Sequence, residues 1–293
     1  MEAHKVLVLG GTGFLGGHVV EALAVAGHTV RLGCRHPERP ALETDHPVDT
    51  VSCDIRDIDS LRKAVAGCDA VVNAVSLYEE KGGLTFEAIH VAGARQLAEV
   101  ARGAGVGCLV QLSGIGADTT SDSKYVRARA QGEKAVQSAF PEAVILRPSV
   151  LFDDEGGFVE ALEWVSRLPL IPLFGNGTTR LQPVHAADVA VAIERLVARS
   201  GSVGRLFELG GARACSYREW LELMLLARGR RRLMLPVPFA IWRLIGSLAR
   251  WLPGTPVTRD QVILMERDNV ADPELDGFRA LAIRPRSLES VLR

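Results

Sequence analysis

The feature that most constrains the fold is a glycine-rich turn near the start of the sequence. Residues 5–9 (KVLVL) form a short apolar run, which predicts a strand buried on both faces. Apolar residues then recur at helical spacing from about position 13. The turn between them contains Gly10, Thr12, Gly13, Phe14, Leu15 and Gly16. Glycines in this context let the backbone approach a pyrophosphate at a helix N-terminus, so we predict a dinucleotide site here.

Beyond this turn, strand-like apolar runs alternate with helical patterns as far as residue 148. The predicted strands cover 5–9, 29–34, 48–54, 70–75, 108–113 and 143–148, and the helices after the first cover 58–66, 84–104 and 123–139. This alternation predicts an α/β, Rossmann-type doubly wound parallel sheet with helices on both faces. We expect a dinucleotide-binding domain at 1–148, with contributions from about 184–210, and a smaller lobe at 149–293.

Ligands bind such sheets beyond the carboxyl ends of the strands, where the strand order reverses. Asp54 and its neighbouring amide are placed to hydrogen-bond an adenine amine, although Asp57 can instead simply cap the following helix. The other strand-end residues expected at the crevice are Ile55, Asn73, Ala74, Val75, Ser113, Arg147, Pro148 and Ser149.

The end of the second strand bears on cofactor choice. NAD-preferring sites usually place Asp or Glu there to hold the ribose 2′-hydroxyl, but this chain has Gly33 and Cys34. Arg35 and Arg39 follow, and a guanidinium can grip a 2′-phosphate with two hydrogen bonds. We therefore predict NADP(H). NAD(H) stays possible, with the arginines as solvated loop residues.

Composition excludes several classes of protein. The 34 Lys and Arg residues nearly balance 35 Asp and Glu, so no overall field favours nucleic acid. Five scattered cysteines without a C-x-x-C pair suggest free thiols in a reducing compartment and no metal site. The first strand begins at Lys5 and no apolar run reaches about twenty residues, so we expect neither a signal peptide nor a membrane span. The expected location is cytoplasmic, and peripheral at a membrane at most.

After residue 148 the pattern loosens. A helix is predicted from Gly157 to about Arg167, an apolar loop at 168–177, a helix at 188–198 and a strand at 206–211. His185 lies near Asp188, but no nucleophile accompanies the pair, so a structural histidine is the favoured interpretation. The roles of Arg180 and Gln182, as ligand or lobe contacts, stay open.

Several stretches resemble the extended or atypical short-chain dehydrogenase/reductase superfamily. They are 10–16 (GGTGFLG), 147–149 (RPS), 180–185 (RLQPVH) and 188–190 (DVA). Within it, the chain is most similar to the dehydrogenase-like accessory subunit of respiratory complex I and its bacterial relatives. That similarity rests on 123–127 (SKYVR), 132–136 (GEKAV), 140–143 (FPEA), 182–184 (QPV), 235–238 (LPVP) and 258–260 (TRD). It implies tight NADP(H) binding, often without turnover, and association with the quinone-reducing respiratory enzyme.

The resemblance also identifies a degenerate catalytic pair. Active members use Tyr-x-x-x-Lys on one helix, where the ammonium lowers the tyrosine pKa for proton exchange. Here Tyr125 matches, but Arg129 replaces the lysine, and Gly114 to Gly116 offers no catalytic hydroxyl beyond Ser113. Cofactor holding without turnover is the favoured hypothesis. The alternative is an active NADP-dependent reductase, dehydrogenase or epimerase acting on a small lipophilic carbonyl or hydroxyl compound.

A basic cluster at 228–232 (RGRRR) precedes a predicted amphipathic helix at 239–252. The residues at three- and four-residue steps, which form its predicted apolar side, are Ile241, Trp242, Ile245, Leu248, Ala249 and Leu252. Basic residues beside such a helix suit an anionic membrane surface or a hydrophobic protein partner. An ordinary helix facing the core, with an exposed arginine loop, explains the pattern equally well. The region Arg228–Leu252 is therefore a hypothetical partner surface.

Overall fold

The computed structural model describes residues 3–37, 46–154, 156–199, 204–248 and 258–292. Within these ranges the strands are β1 (Lys5–Leu9), β2 (Thr29–Cys34), β3 (Asp49–Ser52), β4 (Ala70–Asn73), β5 (Cys108–Leu112), β6 (Val144–Pro148), β7 (Leu151–Phe152), β8 (Leu170–Phe174), β9 (Arg180–Leu181), β10 (Val184–His185), β11 (Leu206–Leu209), β12 (Cys215–Ser216) and β13 (Leu233–Val237). The α-helices are α1 (Phe14–Val25), α2 (Ile58–Val65), α3 (Ala94–Gly103), α4 (Lys124–Ala139), α5 (Phe158–Ser166), α6 (Ala186–Ala198), α7 (Tyr217–Ala227), α8 (Phe239–Leu248) and α9 (Arg259–Leu264). A π-helical segment covers Glu87–Gly93, and short 3-10 turns cover Phe278–Leu281 and Leu288–Ser290.

Seven strands form one parallel sheet in the order β11-β6-β5-β4-β1-β2-β3. The chain builds outward from β1 to β3 and then crosses back to place β4 on the other side of β1. Strand order therefore reverses between β1 and β4, and a crevice opens there beyond the strand ends. The predicted doubly wound α/β sheet is confirmed.

Successive side chains of β1 point to opposite faces of the sheet, and both faces are buried, so its sequence is continuously apolar. Val6 and Val8 pack into a core formed with α1 and α6 on one face of the sheet. Leu7 and Leu9 pack into a second core with α2, α3 and α4 on the other face. All four side chains are fully buried or nearly so, each stabilising the fold by about 1.5–3 kcal/mol. This rigid double layer fixes where the glycine turn begins.

Two predicted elements differ from the structure. The helix expected at 84–104 begins at Glu87, and its first part is π-helical and packs closely against α4. At that contact a Cβ on Gly132 would lie only 2.0 Å from the His90 carbonyl oxygen. The predicted loop at 168–177 is wrong, since β8 lies within it and pairs in parallel with β13. A two-stranded ribbon tolerates the prolines that suggested a loop, because its outer edges need no ladder donors.

A third core lies beside the sheet and positions the C-terminal part of the chain. Trp220, Leu221 and Met224 of α7 pack against Phe158 and Leu162 of α5. No helix among the described residues is long and apolar enough to cross a membrane.

Candidate dinucleotide site

The glycine turn is held open for a ligand by close backbone contacts. Gly10 has φ +77°, a left-handed conformation that favours glycine, and a Cβ there would lie 2.7 Å from the Ala74 carbonyl carbon. A Cβ on Gly16 would lie 2.0 Å from the Gly10 carbonyl oxygen. Gly13 is the N-cap of α1 and has no side chain to satisfy the first N–H groups of the helix. Those donors suit a pyrophosphate, so the turn fits the predicted group.

The other turn residues have distinct positions. Thr12 is exposed, whereas Leu15 packs against the core shared by α1 and α6. Phe14 is 41% exposed, and its ring lies against Gly156 and Gly157 after β7. The glycine turn therefore contacts the segment that leads into α5.

On the β2–β3 side, one carboxylate is surrounded by cationic groups. Asp54 accepts hydrogen bonds from Arg56 Nε (3.0 Å) and Nη2 (2.6 Å). The Arg56 hydrogen bond, more than any other cause, lowers the pKa of Asp54, and the charge of Arg35 contributes as well. Arg35 is exposed directly after β2, Ile55 is buried, and Arg39 lies outside the described residues. Asp57 caps α2 by accepting from the Asp59 N–H at 3.0 Å, which confirms the capping alternative for this residue.

At the end of β4, a buried amide shapes the floor of the crevice. Asn73 donates from Nδ2 to Gln111 Oε1 at 2.8 Å, and its Oδ1 accepts from the Val75 N–H at 3.2 Å. Ala74 and Val75 are therefore turned against Gly10 rather than continuing the strand. Asn73 holds the turn through bonds inside the protein.

Ser113 and Ser149 lie beyond the adjacent strands β5 and β6, but only one is bonded. The Ser113 side chain is buried, and no group among the described residues hydrogen-bonds its Oγ. An unpartnered buried hydroxyl is costly, so this oxygen is a site where a polar ligand atom would be stabilised. Ser149 Oγ instead donates to Asn269 Oδ1 at 2.6 Å. The Pro148 carbonyl accepts from the Ile115 N–H at 3.2 Å.

Arg147 is engaged in a half-buried ion-pair group. Its Nε and Nη2 donate to the two carboxylate oxygens of Glu133 at 2.9 and 2.6 Å, and its Nη1 donates to Glu208 at 3.2 Å. These bonds join α4, β6 and β11. All three guanidinium nitrogens of Arg147 are therefore used in bonds within the protein, and the cofactor contact expected from its sequence position stays a prediction.

Tyr125 lies on α4 and is buried among aromatic side chains from an earlier segment of the chain. The rings of Tyr78, Phe86 and His90 lie 5.6–5.7 Å from its ring centroid. Its hydroxyl accepts a hydrogen bond from Arg129 Nη1 at 2.7 Å. The predicted pairing of positions 125 and 129 is therefore present, with both groups on one helix face.

Arg129 occupies space that a side chain at position 114 would need. A Cβ on Gly114 would lie 2.6 Å from Arg129 Nη1. The absence of a side chain at Gly114 therefore makes room for the guanidinium of Arg129.

The electrostatics of Tyr125 favour its neutral form. Burial raises the pKa of the phenol, and the opposing charge of Arg129 only partly offsets this effect. Burial likewise lowers the pKa of His90 to about 4. A tyrosine that exchanges protons in catalysis needs the opposite shift and access to substrate.

The remaining candidates in the C-terminal part are structural. His185 caps α6 by accepting from the Ala187 N–H at 3.1 Å, and Asp188 accepts from the Arg286 N–H at 2.6 Å. The two residues therefore do not form a His–Asp pair, in agreement with the favoured interpretation. Gln182 bonds Gly211 and Ala271, whereas the Arg180 N–H donates to Asp268.

The structure changes the picture of the predicted partner surface. Arg228 and Arg230 share the single carboxylate of Glu163 at 2.9 and 3.0 Å, so two of the four arginines in the cluster are held in ion pairs. Arg231 and Arg232 are exposed. Residues 249–257, including the predicted continuation of the helix, lie outside the described residues.

On α8 the residues of the predicted apolar side are divided between the protein interior and the surface. Trp242 is buried, donating to the Leu173 carbonyl at 2.9 Å, whereas Ile241, Leu244 and Ile245 are 43–61% exposed. Leu233 and Leu235 of β13 are exposed nearby in sequence. We call these five residues with Arg231 and Arg232 the apolar–basic face.

For several residues of the site, nothing in the sequence indicated that they would contact it. Ser76, Tyr78, Phe86 and His90 reach Tyr125 from the segment after β4, and Asn269 reaches Ser149 across 120 positions. Such long-range contacts carry no local periodicity or spacing. Among the described residues, no group of three or more His, Cys, Asp or Glu is placed to hold a metal ion.

Comparisons with known proteins agree with this geometry. A family model described as NAD(P)H-binding matches residues 10–197. NADH dehydrogenase (ubiquinone) 1 alpha subcomplex subunit 9, mitochondrial, from Arabidopsis thaliana is 35% identical over 96% of this chain and 74% of its own length. A ceramide reductase from Caulobacter vibrioides is 32% identical over 75% of this chain and 68% of its own length.

Among solved structures, the triphenylmethane reductase of Citrobacter sp. complexed with NADP(H) superposes with a TM-score of 0.77. The match covers 98% of each chain at 18% identity, which shows a shared fold. The chain therefore belongs to the NAD(P)H-binding family, as an atypical short-chain dehydrogenase/reductase-like protein related to subunit 9 of the respiratory NADH dehydrogenase.

Proposed function

We propose that this protein holds NADP(H) across the β1–β4 crevice without catalytic turnover and associates with respiratory NADH:quinone oxidoreductase. In this proposal residues 1–148, with 184–210, bind the dinucleotide, and 149–293 form the lobe that meets the partner. The nicotinamide of such a cofactor supplies hydride when a substrate is present. The buried hydroxyl of Tyr125, which accepts a hydrogen bond from Arg129, is the observation that carries the proposal.

The phosphates would lie at the N-terminus of α1, where Gly10 and Gly16 leave no side chain in the way. The adenosine half would extend over β2 and β3. Arg35 is exposed directly after β2, where NAD-preferring sites usually carry a carboxylate, and a guanidinium at that position supports a 2′-phosphate over a free hydroxyl. The Ser113 hydroxyl is available to the other half of the dinucleotide.

Absence of turnover is supported by the state of Tyr125. Its hydroxyl accepts a hydrogen bond from Arg129, three other rings lie against its own ring, and burial raises its pKa. A phenol in that state neither reaches a substrate carbonyl nor gives up its proton readily. Arg129 also lacks the compact ammonium that links tyrosine and ribose in active relatives.

Nucleotide analysis after gentle purification tests the first half of the proposal, with NADP(H) as the expected co-purifying species. Stopped-flow mixing of the NADPH-loaded protein with quinones or carbonyl compounds tests the second half. We expect no substrate-dependent oxidation of NADPH. Turnover that Tyr125→Phe abolishes, and that the matched variant Tyr78→Phe retains, would refute the non-catalytic role.

The ceramide reductase relative favours a second candidate function. That relative is named for reduction of a lipid, so this chain is alternatively an active NADP-dependent reductase of a lipophilic carbonyl compound. The same stopped-flow experiment with a ketone-bearing long-chain lipid in detergent distinguishes the two candidates. Saturable oxidation of NADPH by that lipid would establish the reductase.

Association with the respiratory enzyme is supported by the relatives named as its subunits and by the apolar–basic face. Exposed aliphatic side chains beside two exposed arginines suit a hydrophobic partner that carries acidic groups. Co-purification with NADH:quinone oxidoreductase from solubilised membranes of the native host is expected. Flotation with anionic vesicles that lack protein would instead identify lipid as the binding surface.

A further inference from the structure

A C-terminal segment, Met265–Ala271, runs along the edge of β9. The Asn269 N–H donates to the Arg180 carbonyl at 2.8 Å, and the Asn269 carbonyl accepts from the Gln182 N–H at 3.0 Å. These two bonds make a parallel β-bridge to Leu181. The backbone of Asn269 is therefore fixed independently of its side chain.

The side chain of Asn269 joins two loops of the sheet. Its Oδ1 accepts from Ser149 Oγ at 2.6 Å and from the Val150 N–H at 3.1 Å. Its Nδ2 lies 3.4 Å from the Ile115 carbonyl oxygen, to which it donates a longer bond. Ile115 follows β5 and Ser149 follows β6, so one amide fastens the loops beyond two adjacent strands.

The strand order reverses between β1 and β4, and we call this place the switch point. The two loops lie on one side of it, and Arg35 and Asp54 lie on the other side. A dinucleotide that spans the switch point with its adenosine over β2 and β3 has its nicotinamide half over β5 and β6. The unpartnered hydroxyl of Ser113 belongs to the same β5 loop, two residues before Ile115. The separation of the two loops therefore sets the width of the nicotinamide end.

We infer that Asn269 is a positioning residue for the nicotinamide half of the bound dinucleotide, acting through Ile115 and Ser149 without touching the cofactor. The inference rests on the proposed function, since it requires a dinucleotide in this crevice. Its specific consequence is that loss of the amide weakens binding of the whole cofactor but not of its adenosine half.

The test compares the affinity of Asn269→Ala for NADPH and for 2′,5′-ADP, which lacks the whole nicotinamide mononucleotide half, including its phosphate. We expect NADPH to bind roughly tenfold more weakly, as loss of a buried hydrogen-bonded amide predicts, and 2′,5′-ADP to bind within about twofold of the natural protein. If the natural protein takes NADH, the same comparison uses NADH and ADP.

Asp268→Ala is the matched control, because Asp268 lies in the same segment and accepts only from the Arg180 N–H at 2.8 Å among the hydrogen bonds described. It is expected to change neither affinity. Asn269→Ser is a milder change, and the serine side chain is also too short to bridge the loops. If Asn269→Ala folds poorly, Asn269→Ser should show the same weaker binding of NADPH with unchanged binding of 2′,5′-ADP.

Equal weakening of both ligands in the Asn269 variants would show a general loss of structure and overturn the inference. Unchanged affinity for both ligands would overturn it as well. A natural protein that binds none of these nucleotides would instead refute the proposed function and remove the basis of the inference.

Discussion

Replacing Gly16 by alanine is expected to abolish tight nucleotide binding while leaving a folded protein. An added Cβ would lie 2.0 Å from the Gly10 carbonyl oxygen and 2.6 Å from the Gly11 Cα. Both contacts are with backbone, so no side-chain rotation relieves them. The N-terminus of α1 must therefore move away from the strand end by about 1 Å to restore a contact of 3.0 Å.

The size of the effect follows from that displacement. Forcing one methyl group into a close-packed contact costs about 1–3 kcal/mol of folding stability. A shift of 1 Å also takes the N–H groups of the first turn of α1 out of hydrogen-bonding range of a pyrophosphate. Each charge-assisted bond lost is worth about 1.5–3 kcal/mol, so we expect NADPH affinity to fall by roughly 100-fold or more.

The assay is titration of the nucleotide-free protein with NADPH, followed by NADPH fluorescence, alongside urea unfolding of the same preparation. Gly103→Ala is the matched control, because a Cβ at Gly103 meets nothing within 4 Å. It should leave the affinity unchanged. A Gly16→Ala protein that is folded and binds NADPH as tightly as the natural protein would refute the assignment of the pyrophosphate to this turn.

Three further changes test separate parts of the molecule. Arg35→Ala should weaken NADPH roughly tenfold and NADH less than twofold, because only the former carries a 2′-phosphate for the guanidinium to bind. Since burial lowers the pKa of His90 to about 4 from its ordinary 6.5, the unfolded chain takes up the proton first as the pH falls. Folding stability should drop by roughly 3 kcal/mol between pH 6.5 and 4, as measured by urea unfolding, and this contribution should vanish in His90→Gln. Replacing Ile241, Leu244 and Ile245 together by glutamine should abolish co-purification with the respiratory enzyme while preserving NADPH binding.

Each of these has its own control. Equal losses for NADPH and NADH in Arg35→Ala would mean that Arg35 does not meet a 2′-phosphate. An unchanged pH slope in His90→Gln would assign the slope to other groups, such as His28, whose pKa burial also lowers. Val25 and Leu226 are exposed aliphatic residues away from α8, so their replacement by glutamine should leave partner binding intact. Loss of binding in that control would contradict a specific face on α8.

Local sequence determined the dinucleotide half of the molecule. The run of residues 5–9 has to be buried on both faces, and a Cβ at Gly10 or Gly16 would collide with backbone atoms. The alternation of strands and helices to residue 148 then leaves one plausible sheet. These features depend on neighbours within a few positions, so the sequence alone was sufficient to predict them.

Tertiary structure decided which polar residues are free to act. Arg147 stands at a predicted strand end, but Glu133 and Glu208 engage its charge from 14 and 61 positions away. The spacing of Tyr125 and Arg129 was visible in the sequence. The burial that raises the tyrosine pKa comes from rings on another segment.

The same distinction explains the C-terminal half. The ribbon of β8 and β13 pairs segments more than sixty positions apart, and the amide of Asn269 reaches Ser149 across 120. The periodicity of apolar side chains indicates which residues prefer the interior, and glycines indicate where two backbone segments approach closely. Whether a polar atom meets a partner depends on contacts that only the folded chain brings together. The sequence therefore determined the parallel sheet and its glycine turn, and the tertiary structure decided which polar groups near the strand ends are bonded within the protein.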